Sequence, residues 1–196
     1  MLNRLSTLQG GYPKREETKR KAMSRLDRFK KAIGLSTSQD LLVADLQKAL
    51  SRDRVLEDRE DRLLHSKDES VFEGGIAGPV CFPLTTEEVQ SIMKIAQRHD
   101  RAVVPRGAGS GLAGGAIPLE APIVVAMTKM NKITEVDLDN RIAWVEPGVI
   151  NLELSEYLRP MGFHYAPDPS SQQICTIGGN VANNSGGPHC LADGVT

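Results

Sequence analysis

The sequence is poor in aromatics and cysteines and has no long apolar run. Phe, Trp and Tyr together make up 4% of its 196 residues. Nothing approaches the roughly 18 consecutive apolar residues of a membrane-crossing helix. The richest apolar strip, Ile123 to Met127, is only strand-sized and follows Pro122. The three cysteines, Cys81, Cys175 and Cys190, are widely spaced and form no C-x-x-C. Zinc ribbons and ferredoxin-type clusters are therefore excluded, no metal is expected, and a reduced, cytosolic chain is the economical reading. Net charge is nearly absent too, with 24 Lys+Arg against 25 Asp+Glu. No overall attraction to nucleic acid follows from that balance.

What remains is an ordinary globular composition, 40% hydrophobic and 25% charged, in a length that can bury a sizeable core. The charge is unevenly placed. Residues 1–33 carry 10 basic and 3 acidic side chains, net +7, and the remainder is net −8. The stretch Lys14 to Lys21 is almost free of apolar residues, whereas Met23, Leu26, Phe29 and Ile33 follow at helical spacing. A docking arm would explain this, but a solvated, frayed N-terminal helix is the simpler account. No apolar signal-peptide core follows Met1, and Glu16 and Glu17 argue against a mitochondrial presequence. Composition divides the chain into a basic extension over 1–40, a helical lead-in over 41–75 and an organised domain over 76–196, with Gly74, Gly75, Gly78 and Pro79 at the last boundary.

In the lead-in, Asp40 is expected to cap a helix striped by Leu42, Leu46, Ala49 and Leu50. Residues 51–69 are dense in charge and read as solvated surface. Beyond the boundary, Val80 to Phe82 reads as a short buried strand. Thr85 and Glu88 form a capping box for a helix whose core face is Val89, Ile92, Met93 and Ala96. Strands are expected at 102–105, 123–127, 133–137 and 142–145, the last pair joined through Asp139-Asn140. A helix follows from Asn151 to about Met161. The pattern gives an α+β or α/β unit around one sheet.

The most informative segment runs from Arg106 to Gly115, with five glycines in ten residues directly after a strand. Glycine allows positive φ and close backbone approach, and consecutive N–H groups in such a loop form a nest for oxyanions. Phosphate or pyrophosphate is the fitting ligand, with Arg106 and Ser110 as added donors. The loop lacks the Gly-Lys-Ser/Thr of a Walker A motif, which argues against a nucleotide triphosphatase. Gly109, Gly111 and Gly114 match the G-x-G-x-x-G dinucleotide spelling, but Pro118 and Pro122 leave no room for the helix that fingerprint requires. The loop must therefore work through its own amides. A second cluster, Asp168 to Gly187, combines small residues, amides and hydroxyls and could run along a flat polar ligand. The Ser170-Ser171 pair lacks an accompanying His and Asp, so hydrolase chemistry is poorly supported. His164 reads as a packing residue at a strand start, and His189 as a lone structural histidine.

The segments Pro105 to Gly115, Val145 to Val149, Pro167 to Ser171 and Thr176 to Ala182 occur in the order found in FAD-linked oxidases of the vanillyl-alcohol-oxidase or p-cresol-methylhydroxylase type. Over about residues 60–196 the sequence resembles that family, and within it the glycolate oxidase D subunit and the D-lactate dehydrogenases. The resemblance implies the first subdomain and part of the second of a p-cresol-methylhydroxylase-type FAD-binding domain. It implies that Arg106, Gly107, Ala108, Gly109, Ser110, Gly111, Gly114 and Gly115 wrap the FAD pyrophosphate. Pro147, Gly148 and Val149 would lie near the adenosine half. Asp168, Ser170, Ser171, Thr176, Gly178, Gly179, Asn180 and Ala182 would line the ribityl chain and isoalloxazine. No histidine stands where some relatives attach the flavin, so FAD is expected to be noncovalent. His189-Cys190 matches glycolate oxidase relatives, although Ala192-Asp193 replaces a more usual basic-aromatic pair.

The implied chemistry is oxidation of a 2-hydroxy acid, of glycolate or D-lactate type, by hydride transfer to flavin. Other oxidase subunits or an iron–sulfur electron acceptor are the implied partners, and any membrane contact would come through them. The family's substrate groups come mainly from a later domain, so the chain is expected to be the first part of a larger enzyme and no catalytic residue is assigned. Alternatives are a noncatalytic nucleotide-binding or assembly module, and the FAD-dependent reductase of cell-wall precursor synthesis, which matches the second cluster less well.

Overall fold

The computed structural model describes residues 28, 29, 32, 34 and 37–196. The basic stretch 14–21 and most of the apolar positions after it lie outside the described residues. Helix α1 spans Ser38–Ala49. Its cap is Thr37 rather than Asp40: Thr37 Oγ1 accepts from Asp40 N at 3.2 Å, and Asp40 Oδ2 accepts from Thr37 N at 2.8 Å. The capping box thus starts the helix earlier, with Asp40 in its first turn. Leu42, Leu46 and Leu50 are buried as expected, joined by Val43.

The charge-dense stretch is more structured than a solvated surface. A single 3-10 turn, Arg52–Arg54, leads into strand β1, Val55–Leu56, and then into helix α2, Arg59–Leu64. Arg54 grips the carboxylate of Glu88 with both terminal nitrogens, at 2.5 and 2.7 Å, and also donates to the carbonyl of Leu50. That bidentate bond raises the pKa of Arg54 and lowers that of Glu88.

Strand β2 is Val80–Cys81 and helix α3 is Thr86–Arg98. Thr85 caps α3 by accepting from Glu88 N, while Glu88 Oε2 takes the amide of Leu84 at 2.7 Å. The core face of α3 is Ile92, Ile95 and Ala96. Met93 is exposed, so the stripe is rotated from the expected one. Strands β3, Val103–Arg106, and β4, Ile123–Ala126, complete a sheet of order β1-β2-β4-β3. β1 is antiparallel to β2, and the other pairs are parallel. All four residues of β4 are buried, as suits a parallel strand covered on both faces. Ile123 and Val125 face α1 and α3; Val124 and Ala126 face Val80, Ala77 and Phe82. Cys81 lies in the first of these clusters, where burial pushes its thiol up to about 12.

A separate two-stranded sheet, rather than a continuation of the first, follows: β5, Ile133–Asp137, against β6, Ile142–Val145. Asn140 ties their turn to Asp137 through its amide at 3.0 Å and its side chain at 2.7 Å. Helix α4, Asn151–Leu158, ends in a 3-10 turn through Met161. A second core forms from Val149, Leu154, Leu158 and Ile177, with β5 and β6 packed on it. The second glycine segment contains helix α5, Ile177–Asn183, and a short helix α6, Cys190–Asp193, follows it. His164 is exposed and outside any strand, so it does not pack as expected.

Candidate functional site

The glycine loop leaves β3 and turns without a helix until the chain re-enters the sheet at β4. Among the described residues, no backbone amide from Gly107 to Gly115 donates to a protein acceptor. Gly109 sits at φ +78°, a conformation other residues adopt only with strain. The Arg106 side chain folds back beneath it: Nη1 donates to the carbonyl of Lys67 at 2.7 Å, and any side chain at Gly109 would run into the guanidinium. Burial lowers the pKa of Arg106 while the charge of Asp68 works against that shift.

The start of α5 packs onto this loop and differs from it chemically. A Cβ at Gly107 would overlap Thr176 Oγ1. A Cβ at Gly178 would come within 2.7 Å of Pro147 Cβ. The first four amides associated with α5 are all engaged inside the protein: Ile177 N with Val149 O and Gly178 N with Pro147 O, both at 2.8 Å, Gly179 N with Thr176 Oγ1 at 3.2 Å, and Asn180 N with Thr176 O at 2.9 Å. The helix start therefore offers no free N–H groups, and main-chain donors are concentrated in the glycine loop. What α5 contributes is a close backbone surface and the side chain of Asn180, whose Nδ2 is buried without a partner.

Three of the segments singled out in the sequence meet at one cavity of about 230 Å³, through Ala108, Gly148 and Thr176. Gly148 is held there by its amide on Met130 O at 2.7 Å. Sequence reasoning missed Thr128, Asn131, Ile150, Glu153 and Ile174, which complete the wall. The only hint of Thr128 and Asn131 was their place immediately after a buried strand. Other predicted residues stand apart from the cavity: Ser170 and Ala182 are exposed, and Val149 is in the second core. Asp168 pairs instead with His189, Oδ2 to Nδ1 at 2.6 Å. That hydrogen bond lowers the pKa of Asp168 and raises that of His189, and Asp193 adds to the latter. Among the described residues no group of three or more His, Cys, Asp or Glu could hold a metal, and no helix is long and apolar enough to cross a membrane.

Comparison with known proteins agrees with this geometry. The FAD binding domain family matches residues 78–196. The glycolate oxidase subunit GlcD of Escherichia coli strain K12 is 47% identical over 117 residues, 60% of this chain and 23% of that protein. GlcD of Bacillus subtilis is 42% identical over 135 residues, covering 69% and 29%. The D-lactate dehydrogenase of Anaerostipes hadrus is 34% identical over 150 residues, covering 76% and 31%. The chain thus spans less than a third of the length of each of these relatives. Among solved structures, 4-ethylphenol oxidase from Gulosibacter chungangensis superposes with a TM-score of 0.71 at 25% identity, over 82% of this chain and 32% of that one. p-Cresol methylhydroxylase superposes at 0.66 and 22%, over 76% and 30%. A glycine loop with unengaged amides, a second glycine segment packed against it and the matched region together establish that the chain belongs to the FAD binding domain family, with the p-cresol-methylhydroxylase type of fold.

Proposed function

We propose that the chain is the FAD-binding portion of a flavoprotein oxidoreductase that oxidises a 2-hydroxy acid of glycolate or D-lactate type. The observation that carries the cofactor assignment is the unbroken run of unengaged amides from Gly107 to Gly115. The loop residues are half-buried or exposed, so these main-chain donors are uncommitted within the fold and open to an oxyanion. A pyrophosphate supplies acceptors to several at once, and the Arg106 guanidinium beneath the loop offsets its charge. Pro147, Gly148 and Val149 would flank the adenosine half. Asp168, Ser170, Ser171, Thr176, Gly178, Gly179, Asn180 and Ala182 would follow the ribityl and ring portion, with Asn180 Nδ2 the side-chain donor still lacking an acceptor.

FAD, held without a covalent bond, supplies the two-electron acceptor for hydride removal from the hydroxy-acid carbon. The chain's own residues bind and orient it. Substrate oxidation also needs a base for the hydroxyl and a cation for the carboxylate, and no residue here is assigned to either task. The substrate class and the further oxidase subunits rest on the names of the relatives, an iron–sulfur electron-acceptor partner on the sequence resemblance, and the cytoplasmic location on the cysteine pattern.

The purified chain is expected to carry, or take up, FAD with visible flavin absorbance. Gly109→Val, which forces a branched side chain onto positive φ and into the guanidinium, should weaken FAD binding at least about tenfold while far-ultraviolet circular dichroism stays unchanged. Wild-type protein that binds no FAD would overturn the reading. Full retention by the variant would remove the pyrophosphate from this loop.

A further inference from the structure

The glycine loop is clamped at both ends by a segment that lies before the matched family region, which begins at residue 78. This strap, residues 66–76, follows α2. At the loop's entry, the carbonyl of Lys67 holds Arg106 Nη1 at 2.7 Å. At its exit, the Phe72 ring packs on Gly114, 2.9 Å from where a Cβ would stand, and Gly75 N donates to Pro118 O at 2.7 Å. Between the clamps sits Asp68. Its Oδ1 accepts from Ser70 N at 3.0 Å, while Oδ2 is buried with no hydrogen-bond partner of normal geometry. The strap is in turn fastened to the main body: Ser66 Oγ accepts from Ala77 N at 2.8 Å and donates to Arg62 O at 2.5 Å.

A loop of five glycines loses more conformational entropy on ordering than any other composition. If it met its anion as a free coil, that loss would subtract directly from affinity. Fixing the entry and exit removes part of the loss in advance, and it keeps the unengaged amides from collapsing onto one another. Phe72 has no role in the hydrophobic core and is 61% exposed, so its contact with Gly114 serves the loop rather than the body of the fold.

We propose that the strap preorganises the glycine loop for its anion, with Asp68 and Phe72 as positioning residues, so that binding depends on a segment outside the matched FAD-binding region. The inference rests on the assignment of the loop to the cofactor pyrophosphate. Asp68 fixes the turn of the strap through Ser70 N, beside the Lys67 carbonyl that holds Arg106; Phe72 braces the far end.

The test uses the full chain with two probes, FAD and ADP, which share the pyrophosphate. Asp68→Ala and Phe72→Leu should each weaken both probes by the same factor, about five- to twentyfold, and should speed hydrogen exchange of amides 107–113 in the ligand-free protein. Riboflavin, which has no phosphate, should be indifferent to either change. Phe72→Leu keeps the test decisive should Asp68→Ala lower the thermal midpoint, because its ring is outside the core. Wild-type affinity and wild-type exchange in the Phe72 variant would overturn the strap's role and leave the cofactor assignment standing. Failure of the wild type to bind either probe would instead remove the cofactor assignment itself.

Discussion

Asp168 and His189 are 21 positions apart and meet at 2.6 Å across the base of the second glycine segment. His189 is raised above its ordinary value of 6.5, chiefly by the hydrogen bond its Nδ1–H donates to Asp168, and Asp168 is lowered below 3.8 for the same reason. The signs fix where the pair stabilises the fold. The histidine's contribution is complete below 6.5 and is lost as pH rises through its folded value. The carboxylate's contribution is present above 3.8 and is lost as pH falls through its folded value. Both act together between those limits. Asp168→Asn should therefore lower the His189 titration midpoint followed by proton NMR; an unmoved midpoint would mean the pair does not form in solution. The sequence showed His189 as a lone residue because its partner is local only after α5 has brought the two ends together. Arg106 was legible as a donor in the loop, whereas its folded-back direction depends on Lys67, 39 positions earlier.

Helix α5 was hidden in the sequence by its composition. Gly178, Gly179 and two asparagines are poor helix formers, so local propensity carries no helix signal there. The helix persists because Thr176 caps it and because glycine lets Gly178 lie flush on Pro147. The same economy of side chains brings Gly107 against Thr176. Gly107→Ala should destabilise the protein by about 2–3 kcal/mol through overlap with Thr176 Oγ1. Thr176→Ala alone should cost about 1 kcal/mol for the lost cap. Together they should cost less than their sum, since removing the hydroxyl makes room for the new methyl. Urea unfolding of the two single variants and the double variant measures this, and strict additivity would deny the contact. Strand β1 was hidden for a different reason: two residues among arginines and aspartates carry no period, and only pairing with β2 makes them a strand. The longer strands β4, β5 and β6 were legible because their apolar runs and turn residues agree.

Two cores divide the described part of the molecule. One lies on either side of the mainly parallel sheet; the other joins β5, β6, α4 and the start of α5. The cavity sits at their seam, where Gly148 hydrogen-bonds to Met130 and Gly107 meets Thr176. Leu154, 2% exposed in the second core, should on change to Ala cost about 2–4 kcal/mol and release the amides of β5 and β6 to exchange ahead of those of β4. Saturating FAD should recover part of that loss, by about 2.7 kcal/mol at one hundred times Kd. Uniform loss of protection would mean the cores open as one unit. Much of the first core was legible from apolar pattern, Val55 and Ile95 excepted; the seam was not, because it is made of glycines and main-chain contacts that leave no hydrophobic signature. One feature of the sheet shapes how molecules meet. β3 is its outer strand, and Pro105 lies within it. An imide nitrogen has no hydrogen to offer a newcomer, so accretion of another chain along that margin is discouraged, and the mouth of the neighbouring glycine loop is left clear for a small molecule to enter.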